Sequence, residues 1–461
     1  MIANIKCGML LSEIAQITNG VLYGEDKIIY SISTDSREVG EKCLFFAIKG
    51  EKFDGHDFVR ASAEKEMSAF VCQYIPEGCE QYSVVVVSDV ILALGALARE
   101  YKARFDILTV AVTGSVGKTT TKEFIYSVLS QKYRTVKTQG NHNNHIGLPM
   151  TLFSIDESTE CAVIEMGMSS RGEIEYLSGI ACPDIAVITN VGTSHIERLG
   201  SREQIALAKL EILCGLKENG VLFVNGDEPL LDIDRPKVKI GRGSSSDFSV
   251  DHTYEGENGC SFDIVTRDIL YESVVIPAFG EHNVMNACFA FAVGKWIGMG
   301  EYEIRRGLLS YHTTGMRQNV YNKKGRTVIE DCYNASPESM MASIKVLADM
   351  AKRENKRAVA VLGNMLELGE YSAEGHRRVG AFLALSGISM LVTFGTDASE
   401  IARAASDFGA DKEKIFMFEN TEDIIGISEF VLKNTDENDI ILFKGSRGVR
   451  LERVIEYIKA N

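Results

Sequence analysis

The run TGSVGKTT at residues 113–120 has the residue types of a phosphate-binding loop. Backbone N–H groups of such a turn surround phosphate oxygens, while a lysine reaches the terminal phosphates and a hydroxyl ligates Mg²⁺. Lys118 and Thr119 hold those two positions, although Val112 stands where the strict pattern G-x-x-x-x-G-K-[ST] has its first glycine. A plain glycine turn is the alternative, but the strand-like ILTVAVTG before the loop and the helical TTKEFIYSVLS after it favour nucleotide binding. The predicted nucleotide contacts from this loop are Gly114, Ser115, Val116, Gly117, Lys118, Thr119 and Thr120.

Two residues close to the ends of predicted strands could complete a site for phosphoryl transfer. Glu165, in ECAVIEMG, places a carboxylate where a further Mg²⁺ ligand would belong, and His195 lies just past the strand in TNVGTSHIE. Each has an ordinary alternative, because a strand-end glutamate is often solvated and a lone histidine often has a structural partner.

A lysine lies on the apolar side of a predicted helix. Ser201 and Gln204 form a capping-box pair in SREQIALAKLEILCGL, which predicts a helix over residues 202–216. At about 100° per residue, Lys209 falls in the middle of the apolar stripe and should face inward. Desolvation would lower its pKa and make the neutral amine accessible, unless the stem carries the ammonium to the surface.

The run TQGNHNNHIGLPMT is dense in asparagine and histidine. A metal pair of His142 and His145 is disfavoured, because no carboxylate or cysteine lies near them in the sequence. Asparagine side chains offer both a donor and an acceptor, which suits a sugar or peptide substrate. The predicted substrate contacts here are Asn141, Asn143 and Asn144.

The chain composition excludes several classes of protein. With 49 Lys and Arg against 64 Asp and Glu, the formal charge of −15 makes a nucleic-acid or anionic-membrane surface unexpected. No apolar run approaches the roughly 18 residues of a membrane span, and the first residues lack the pattern of a signal peptide. Ten cysteines without a C-x-x-C pair read as reduced thiols, so we expect a cytoplasmic protein.

The elements that must position these residues alternate between strand and helix. ILTVAVTG, ECAVIEMG, IAVITNVG and GVLFVNGD read as buried parallel strands, and the alternation restarts after residue 315 with TVIEDCY, AVAVLGN, MLVTFG and DIILFKG. Ligands of such sheets bind beyond the carboxyl ends of the strands, where the polar residues above fall. We therefore predict an α/β fold of three domains: a small α/β domain at 1–106, a central phosphate-loop domain with a mostly parallel sheet at 107–314, and a Rossmann-like domain at 315–461.

With these motifs collected, the chain resembles the Mur ligase family over nearly its whole length. The resemblance rests on STDSREV, FFAIKGEKFDGHDF, TGSVGKTT, GNHNNHIGLP, EMGMSSRGEI, TNVGTSHIERLGS, ALAKLEI, GEHNVMNA, EDCYNASP, VLGNMLELG and KGSRG. Of these, FDGHDF, EMGMSSRGEI and LELG point to the member that joins D-alanyl-D-alanine to UDP-N-acetylmuramoyl-tripeptide in peptidoglycan precursor synthesis. An acyl phosphate would be made from ATP and then captured by the dipeptide amine.

The resemblance implies roles for particular residues. Lys118 and Thr119 would hold the ATP phosphates and Mg²⁺, and two magnesium ions would be ligated by Thr119, Glu165, His195 and a carbamate formed from CO₂ on Lys209. Lys118, Lys209, His195 and Arg317 would be the catalytic residues, with Arg317 on the phosphates. Asn283 and Asn286 would lie by the adenine and Asp331 by the ribose. The implied contacts to the UDP part are Ser33, Asp35, Ser36, Arg37, Lys49 and Gly50, and those to the dipeptide carboxylate are Lys444 and Arg447.

One position departs from the pattern of the family, and some questions stay open. Asn364 replaces an acid in VLGNMLELG, and an amide cannot serve as a general base near neutral pH. A ligase of the folylpolyglutamate type, which would not need the first domain, is the rival within the class, and a nucleotide-dependent switch is the rival outside it. We expect a monomer, while the third residue of the accepted peptide, lysine or diaminopimelate, is left undetermined.

Overall fold

The structure is a computed structural model that describes residues 1–38, 42–64 and 69–460. Within these residues the strands form three separate sheets, of six, nine and six strands. The strands of each sheet fall inside one of the three predicted ranges, and helices pack against all three sheets, so the predicted α/β fold is confirmed. The residue at which one domain gives way to the next stays a prediction.

The first sheet has the strand order β1-β3-β4-β5-β6-β2, in which β1 and β2 are antiparallel to their neighbours. Helix α3 then leads to the second sheet, and it starts at Asp89, whose carboxylate accepts hydrogen bonds from the N–H groups of Ile91 and Leu92. The elements are β1 (Ile2–Leu10), α1 (Leu11–Ile17), β2 (Val21–Tyr23), β3 (Ile28–Ser33), β4 (Cys43–Phe46), α2 (Val59–Ala63), β5 (Ala69–Cys72), β6 (Val84–Val86) and α3 (Val90–Ala103).

The second sheet has the order β15-β14-β13-β12-β11-β10-β7-β9-β8 and is parallel from β8 to β13. The four strand-like runs of the sequence are β7, β9, β10 and β11, side by side at its centre. The sequence analysis did not predict the antiparallel extension β13–β15, whose exposed residues alternate with buried ones. The elements are β7 (Leu108–Thr113), α4 (Lys118–Leu129), β8 (Thr135–Lys137), α5 (Gly147–Leu152), β9 (Cys161–Glu165), α6 (Glu173–Ala181), β10 (Ile185–Ile188), α7 (Ile196–Leu199), α8 (Arg202–Leu210), β11 (Val221–Asn225), β12 (Val238–Gly241), β13 (Phe248–Gly256), β14 (Gly259–Val265), β15 (Leu270–Ile276), α9 (Glu281–Trp296) and α10 (Glu301–Leu309).

The third sheet has the order β16-β17-β21-β18-β19-β20 and is parallel apart from the antiparallel edge strand β16. Its first long helix starts at Ser336, which accepts a hydrogen bond from the Ser339 N–H, with Pro337 in the first turn. The elements are β16 (Asn319–Lys323), β17 (Arg326–Asp331), α11 (Pro337–Glu354), β18 (Arg357–Gly363), α12 (Ser372–Ala384), β19 (Met390–Phe394), α13 (Ser399–Asp407), β20 (Ile415–Phe418), α14 (Ile424–Asn434), β21 (Asp439–Lys444) and α15 (Glu452–Ala460).

The helix predicted over residues 202–216 is shorter in the structure. Helix α8 ends at Leu210 and continues as a 3₁₀ turn over Glu211–Cys214. Ser201 accepts a hydrogen bond from the Gln204 N–H, so the start of the helix was predicted correctly. Further 3₁₀ turns lie at Gly55–Phe58, Pro229–Leu231, Gly369–Tyr371, Lys412–Lys414 and Arg447–Val449.

The core strands are lined by β-branched and aromatic side chains, and β7, β9 and β10 are buried almost throughout. Among the described residues, no helix combines the length and the apolar composition that crossing a bilayer requires. The carboxyl ends of the central strands of the second sheet open into the cavity described below.

Candidate active site

A cavity of about 590 Å³ lies between the second and third sheets and gathers most of the predicted site residues. Its wall includes residues from the phosphate loop, the ends of β9 and β10, helix α9 and the third sheet. The predicted residues that line it are Ser115, Val116, Gly117, Lys118, Thr119, Thr120, Asn141, Asn143, Asn144, Glu165, His195, Asn283, Asn286, Arg317, Asp331 and Lys444. Those that do not line it are Gly114, Lys209, Arg447, Ser33, Asp35, Ser36, Arg37, Lys49 and Gly50.

The phosphate loop joins β7 to α4 through two glycines with positive φ. Gly114 has φ 151° and Gly117 has φ 82°, and a Cβ at Gly114 would come within 1.9 Å of the Thr189 hydroxyl oxygen. Asn190 Oδ1 accepts hydrogen bonds from the N–H groups of Ser115 (3.1 Å) and Val116 (2.9 Å). These two N–H groups are therefore engaged by the protein, and the first-turn N–H groups of α4 are the ones open to an anion.

Lys118 folds back over this loop. Its Nζ donates to the carbonyl oxygens of Gly114 (2.8 Å) and Ser115 (3.4 Å). Burial lowers the pKa of Lys118, although the Glu165 carboxylate opposes this effect. These carbonyl oxygens carry only partial negative charge, whereas a phosphate group in the cavity would offer the Lys118 ammonium a full negative charge.

Glu165 is the centre of a buried polar cluster at the end of β9. One carboxylate oxygen accepts from the Thr119 hydroxyl and the other from the Asn143 amide, both at 2.8 Å. Lys122 Nζ lies 3.6 Å from the same carboxylate and donates to Thr138 O at 2.8 Å. Lys122 is fully buried and was not among the residues predicted from the sequence. The signal that could have revealed it is its position one turn after Thr119 on α4.

The Thr119 hydroxyl and the Glu165 carboxylate are oxygen groups of the kind that Mg²⁺ prefers, and they lie within hydrogen-bond distance of each other. Among the described residues, no group of three or more His, Cys, Asp or Glu side chains is arranged to hold a metal ion. A magnesium site here would thus depend on the Thr119 hydroxyl and Glu165 together with ligands from substrate, water or a modified side chain.

Lys209 is 1% exposed, and its side chain makes no hydrogen bond or ion pair within the part of the chain that the structure describes. Burial lowers its pKa well below the usual value, and the Lys118 ammonium lowers it further. The predicted inward orientation is confirmed, since Ile205, Ala206 and Ala208 of the same helix are also buried. Burial of this kind favours the neutral, nucleophilic form of the amine over the ammonium.

His195 contacts a carboxylate that belongs to the third sheet. Its Nδ1 lies 2.7 Å from Glu367 Oε2, and this hydrogen bond lowers the pKa of Glu367. Both residues have φ 64°, a conformation that non-glycine residues seldom adopt. The sequence did not predict this pairing, because the two residues lie in loops that are far apart along the chain.

Arg317 and Asp331 approach the cavity from the third sheet. The Arg317 guanidinium lies 3.6 Å from the centroid of the Tyr333 ring, on which it stacks. Burial would raise the pKa of Asp331, but the Lys444 ammonium, 2.6 Å away, and the Ser343 hydroxyl bring it below its usual value. Lys444 and Asp331 therefore form an ion pair with each other. From the sequence, Asp331 was expected to contact the ribose and Lys444 the dipeptide carboxylate.

Arg447 and Asn364 lie outside the cavity. Arg447 pairs with Glu452 at 3.1 Å and is half-exposed. Asn364 Oδ1 accepts a hydrogen bond from the Ala398 N–H at 2.8 Å, and its backbone oxygen accepts from the Ser446 N–H. The side chain that departs from the family pattern thus has a structural partner on the next strand-to-helix turn and does not face the cavity.

The predicted contacts to the UDP part form a separate group on the first sheet. Arg37 pairs with Asp35 at 2.7 Å, and the guanidinium lowers the pKa of that carboxyl. Lys49 Nζ lies 3.8 Å from Asp54, and Asp54 also bonds the ring of His56, a buried residue that the sequence analysis overlooked. The remaining predicted residues of this group, Ser33, Ser36 and Gly50, lie on the same sheet edge or on its loops.

Comparison with known proteins agrees with this arrangement over the full chain. The family model for the Mur ligase family, catalytic domain, matches residues 28–102, that for the Mur ligase middle domain matches 112–294, and that for the Mur ligase, glutamate ligase domain, matches 316–447. The chain is 40% identical to the UDP-N-acetylmuramoyl-tripeptide–D-alanyl-D-alanine ligase of Bacillus subtilis, with 97% of each chain covered.

Two crystal structures resemble the whole molecule. MurF from Acinetobacter baumannii matches with a TM-score of 0.88 at 30% identity and covers 99% of both chains. MurF from Thermotoga maritima in complex with ADP matches with a TM-score of 0.82 at 32% identity, covering 93% of this chain and 97% of the other. The chain belongs to the Mur ligase family.

Proposed function

We propose that this protein joins D-alanyl-D-alanine to UDP-N-acetylmuramoyl-tripeptide, with hydrolysis of ATP to ADP and phosphate, in the synthesis of peptidoglycan precursors. The observation that carries the proposal is the 40% identity to the Bacillus subtilis ligase of that name over 97% of both chains. The cavity supports it, because a phosphate loop and polar side chains from a second sheet converge there. The first sheet argues against a ligase of the folylpolyglutamate type, which has no need of a UDP-binding unit.

The reaction needs two steps because a carboxylate is a poor acyl donor. The terminal carboxylate of the tripeptide attacks the γ-phosphorus of ATP, giving an acyl phosphate and ADP. The amine of D-alanyl-D-alanine then attacks the acyl carbon, phosphate leaves, and the amine loses a proton as the amide forms. Lys118 and Arg317 would offset the negative charge on the transferring phosphoryl group, which is the largest catalytic contribution in such reactions.

Magnesium fits the oxygen groups around Glu165. Thr119, Glu165, His195 and a carbamate on Lys209 would hold two ions, which would supply positive charge to offset that of the phosphates. The unpaired amine of Lys209 supports the carbamate, because a neutral amine can add CO₂ and lose a proton to become an anion. This anion would be attracted to the nearby Lys118 ammonium, which disfavours a positive charge on Lys209.

The remaining site residues are proposed on the basis of their positions. Asn283, Asn286 and Asp331 line the cavity and would hold the adenosine. The polar residues of the first sheet would hold the UDP part, and Asn141, Asn143 and Asn144 the peptide or sugar. Lys444 and Arg447 would hold the dipeptide carboxylate, each exchanging its present carboxylate partner, Asp331 or Glu452, for that of the dipeptide. We also infer that the protein is a cytoplasmic monomer.

An assay of ADP release tests the proposal. The enzyme is given ATP and Mg²⁺ with UDP-N-acetylmuramoyl-tripeptides whose third residue is lysine or diaminopimelate, each with and without D-alanyl-D-alanine. We expect ADP and phosphate in amounts equal to the amide formed, and only when peptide and dipeptide are both present. Slow hydrolysis that ignores the dipeptide would instead identify a nucleotide-dependent switch and overturn the proposal.

A further inference from the structure

Gln318 is a buried side chain whose polar group has no partner. It is 9% exposed and lines the cavity, and its Nε2 has no hydrogen-bond acceptor among the described residues. Leaving a buried amide donor unpaired costs stability, as does the left-handed backbone of this residue, φ 50°. Such a combination in a cavity wall points to a group that a ligand completes.

The direction of the free donor is fixed by a chain of hydrogen bonds. The Thr121 hydroxyl donates to Asn286 Oδ1 (3.1 Å), Asn286 Nδ2 donates to Asn283 Oδ1 (3.2 Å), and Asn283 Nδ2 donates to Gln318 Oε1 (2.5 Å). Each amide accepts at its oxygen and donates from its nitrogen to the next. The chain therefore ends in Gln318 Nε2, which has both hydrogens and no partner.

The same chain shows which part of a nucleotide this donor faces. One end of the chain lies at the phosphate loop, because a Cβ at Gly117 would lie 2.6 Å from Asn286 Oδ1, and Gln318 is at the other end, two side-chain hydrogen bonds further on. A nucleotide whose phosphates lie on the loop has its base at the far end. Asn283 Nδ2 already donates to Phe279 O and to Gln318, so Asn283 can offer the base only its oxygen.

We propose that Gln318 Nε2 donates a hydrogen bond to the adenine ring nitrogen beside the exocyclic amino group, N1 or N7, while Asn283 Oδ1 accepts from that amino group. The inference rests on the proposed function, since it assumes that ATP occupies the cavity. A donor next to an acceptor matches adenine, whereas guanine carries an oxygen acceptor in place of the amino group. Gln318 would thus be a determinant of the preference for ATP over GTP.

The test measures binding of ADP and of its 1-deaza, 7-deaza and 3-deaza analogues by calorimetry, without turnover. Wild-type protein should bind either 1-deaza-ADP or 7-deaza-ADP about tenfold more weakly than ADP, the usual size of one lost hydrogen bond. Gln318→Leu should bind ADP about tenfold more weakly and lose nothing further with that analogue. The 3-deaza analogue should show equal losses, if any, in both proteins.

Two variants separate the loss of this donor from a general loss of folding. Gln318→Glu keeps an oxygen that accepts from Asn283 but replaces the donor by a negatively charged oxygen, so it should bind ADP at least as weakly as Gln318→Leu does, even if the leucine variant unfolds at a lower temperature. Gln131→Leu removes a carboxamide outside the cavity, whose Nε2 donates to Ser127 O and Ser310 Oγ, and should bind ADP like wild type.

Two outcomes would overturn the inference while leaving the proposed function intact. One is wild-type affinity for ADP in both Gln318 variants. The other is that, for every analogue, the loss of affinity caused by the analogue is as large in Gln318→Leu as in wild-type protein. A wild-type protein that binds no adenine nucleotide would instead refute the proposed function, and the inference with it.

Discussion

Two walls of the cavity are built in different ways. The phosphate wall, formed by the loop at 114–120 with Glu165 and its partners, belongs to the second sheet alone, and its polar groups are buried and bonded to one another. The closing wall, formed by residues of the third domain that face the cavity, reaches the second domain through the buried hydrogen bond between Gln318 and Asn283 and through side chains that remain partly exposed, Glu338 at 31% and Glu367 at 56%.

Because of this difference, the two walls are expected to respond differently to substitution. The side chains of the phosphate wall are buried and bonded to one another. A substitution that removes one charged member therefore leaves its partner as an unpaired buried charge. Partly exposed contacts, such as those of Glu367 with His195 and of Glu338 with the Thr193 hydroxyl, are each worth about 1 kcal/mol or less. The closing wall can therefore separate to admit substrates and return to exclude water from an acyl phosphate.

The largest expected effect comes from Lys209→Ala, next to the phosphate wall. Ligation should fall by more than about 100-fold, because a metal-binding anion is lost while the helix keeps its apolar contacts. ADP release measures the loss, and thermal unfolding should show an intact fold. Added bicarbonate should not restore turnover, whereas short carboxylates should restore part of it. Lys217→Ala, at a half-exposed lysine paired with Asp184, is the control, and near-normal turnover in Lys209→Ala would remove the carbamate from the mechanism.

Next in size is the effect of Lys122→Met on stability. The change leaves Glu165 buried without its ammonium neighbour, which should lower the free energy of unfolding by about 3 kcal/mol at neutral pH. Because the destabilisation comes from an unpaired carboxylate charge, the loss should be smaller at acid pH, where carboxyl groups are protonated, and grow as the pH rises. Urea unfolding at several pH values measures it.

Lys137→Met is the matched control for this variant. Lys137 pairs with Glu123 but not with Glu165, and Lys122 still neutralises Glu123 after the change. A loss from Lys137→Met as large as that from Lys122→Met would show that the charge on Glu165 does not decide the stability of the phosphate wall.

The contrast between the walls also bears on what the sequence could predict. The phosphate loop, the strand that precedes it and the burial of Lys209 follow from local patterns, and all of them were predicted. The contacts of Lys444 with Asp331 and of His195 with Glu367 depend on how distant segments pack, which no local pattern encodes. The edge strands β13–β15 were missed because half of their residues face solvent and their apolar signal is weak.

A smaller effect is expected on the closing wall from Glu367→Gln. The substitution removes the charge but keeps an oxygen that accepts from His195, so KM for ATP should rise by less than about fivefold. The effect should shrink at high salt, because the pair is partly exposed. Glu370→Gln, at an exposed residue of the same loop, is the control. A fall in kcat comparable to that of Lys209→Ala would mean that Glu367 takes part in the chemistry, and the contrast between the two walls would fail.

The smallest effect is expected from Asn364→Asp, which restores the acid common in the family. Because Oδ1 accepts from the Ala398 N–H and does not face the cavity, either side chain can make this bond. Stability should stay within about 0.5 kcal/mol and kcat/KM within about twofold, with the same pH profile. Asn364→Leu, by contrast, leaves the buried Ala398 N–H unpaired and should cost about 1–3 kcal/mol in urea unfolding. A new acid limb in the pH profile of Asn364→Asp, together with a large gain in rate, would instead place this side chain at the reacting groups, because only a carboxylate titrates in that range.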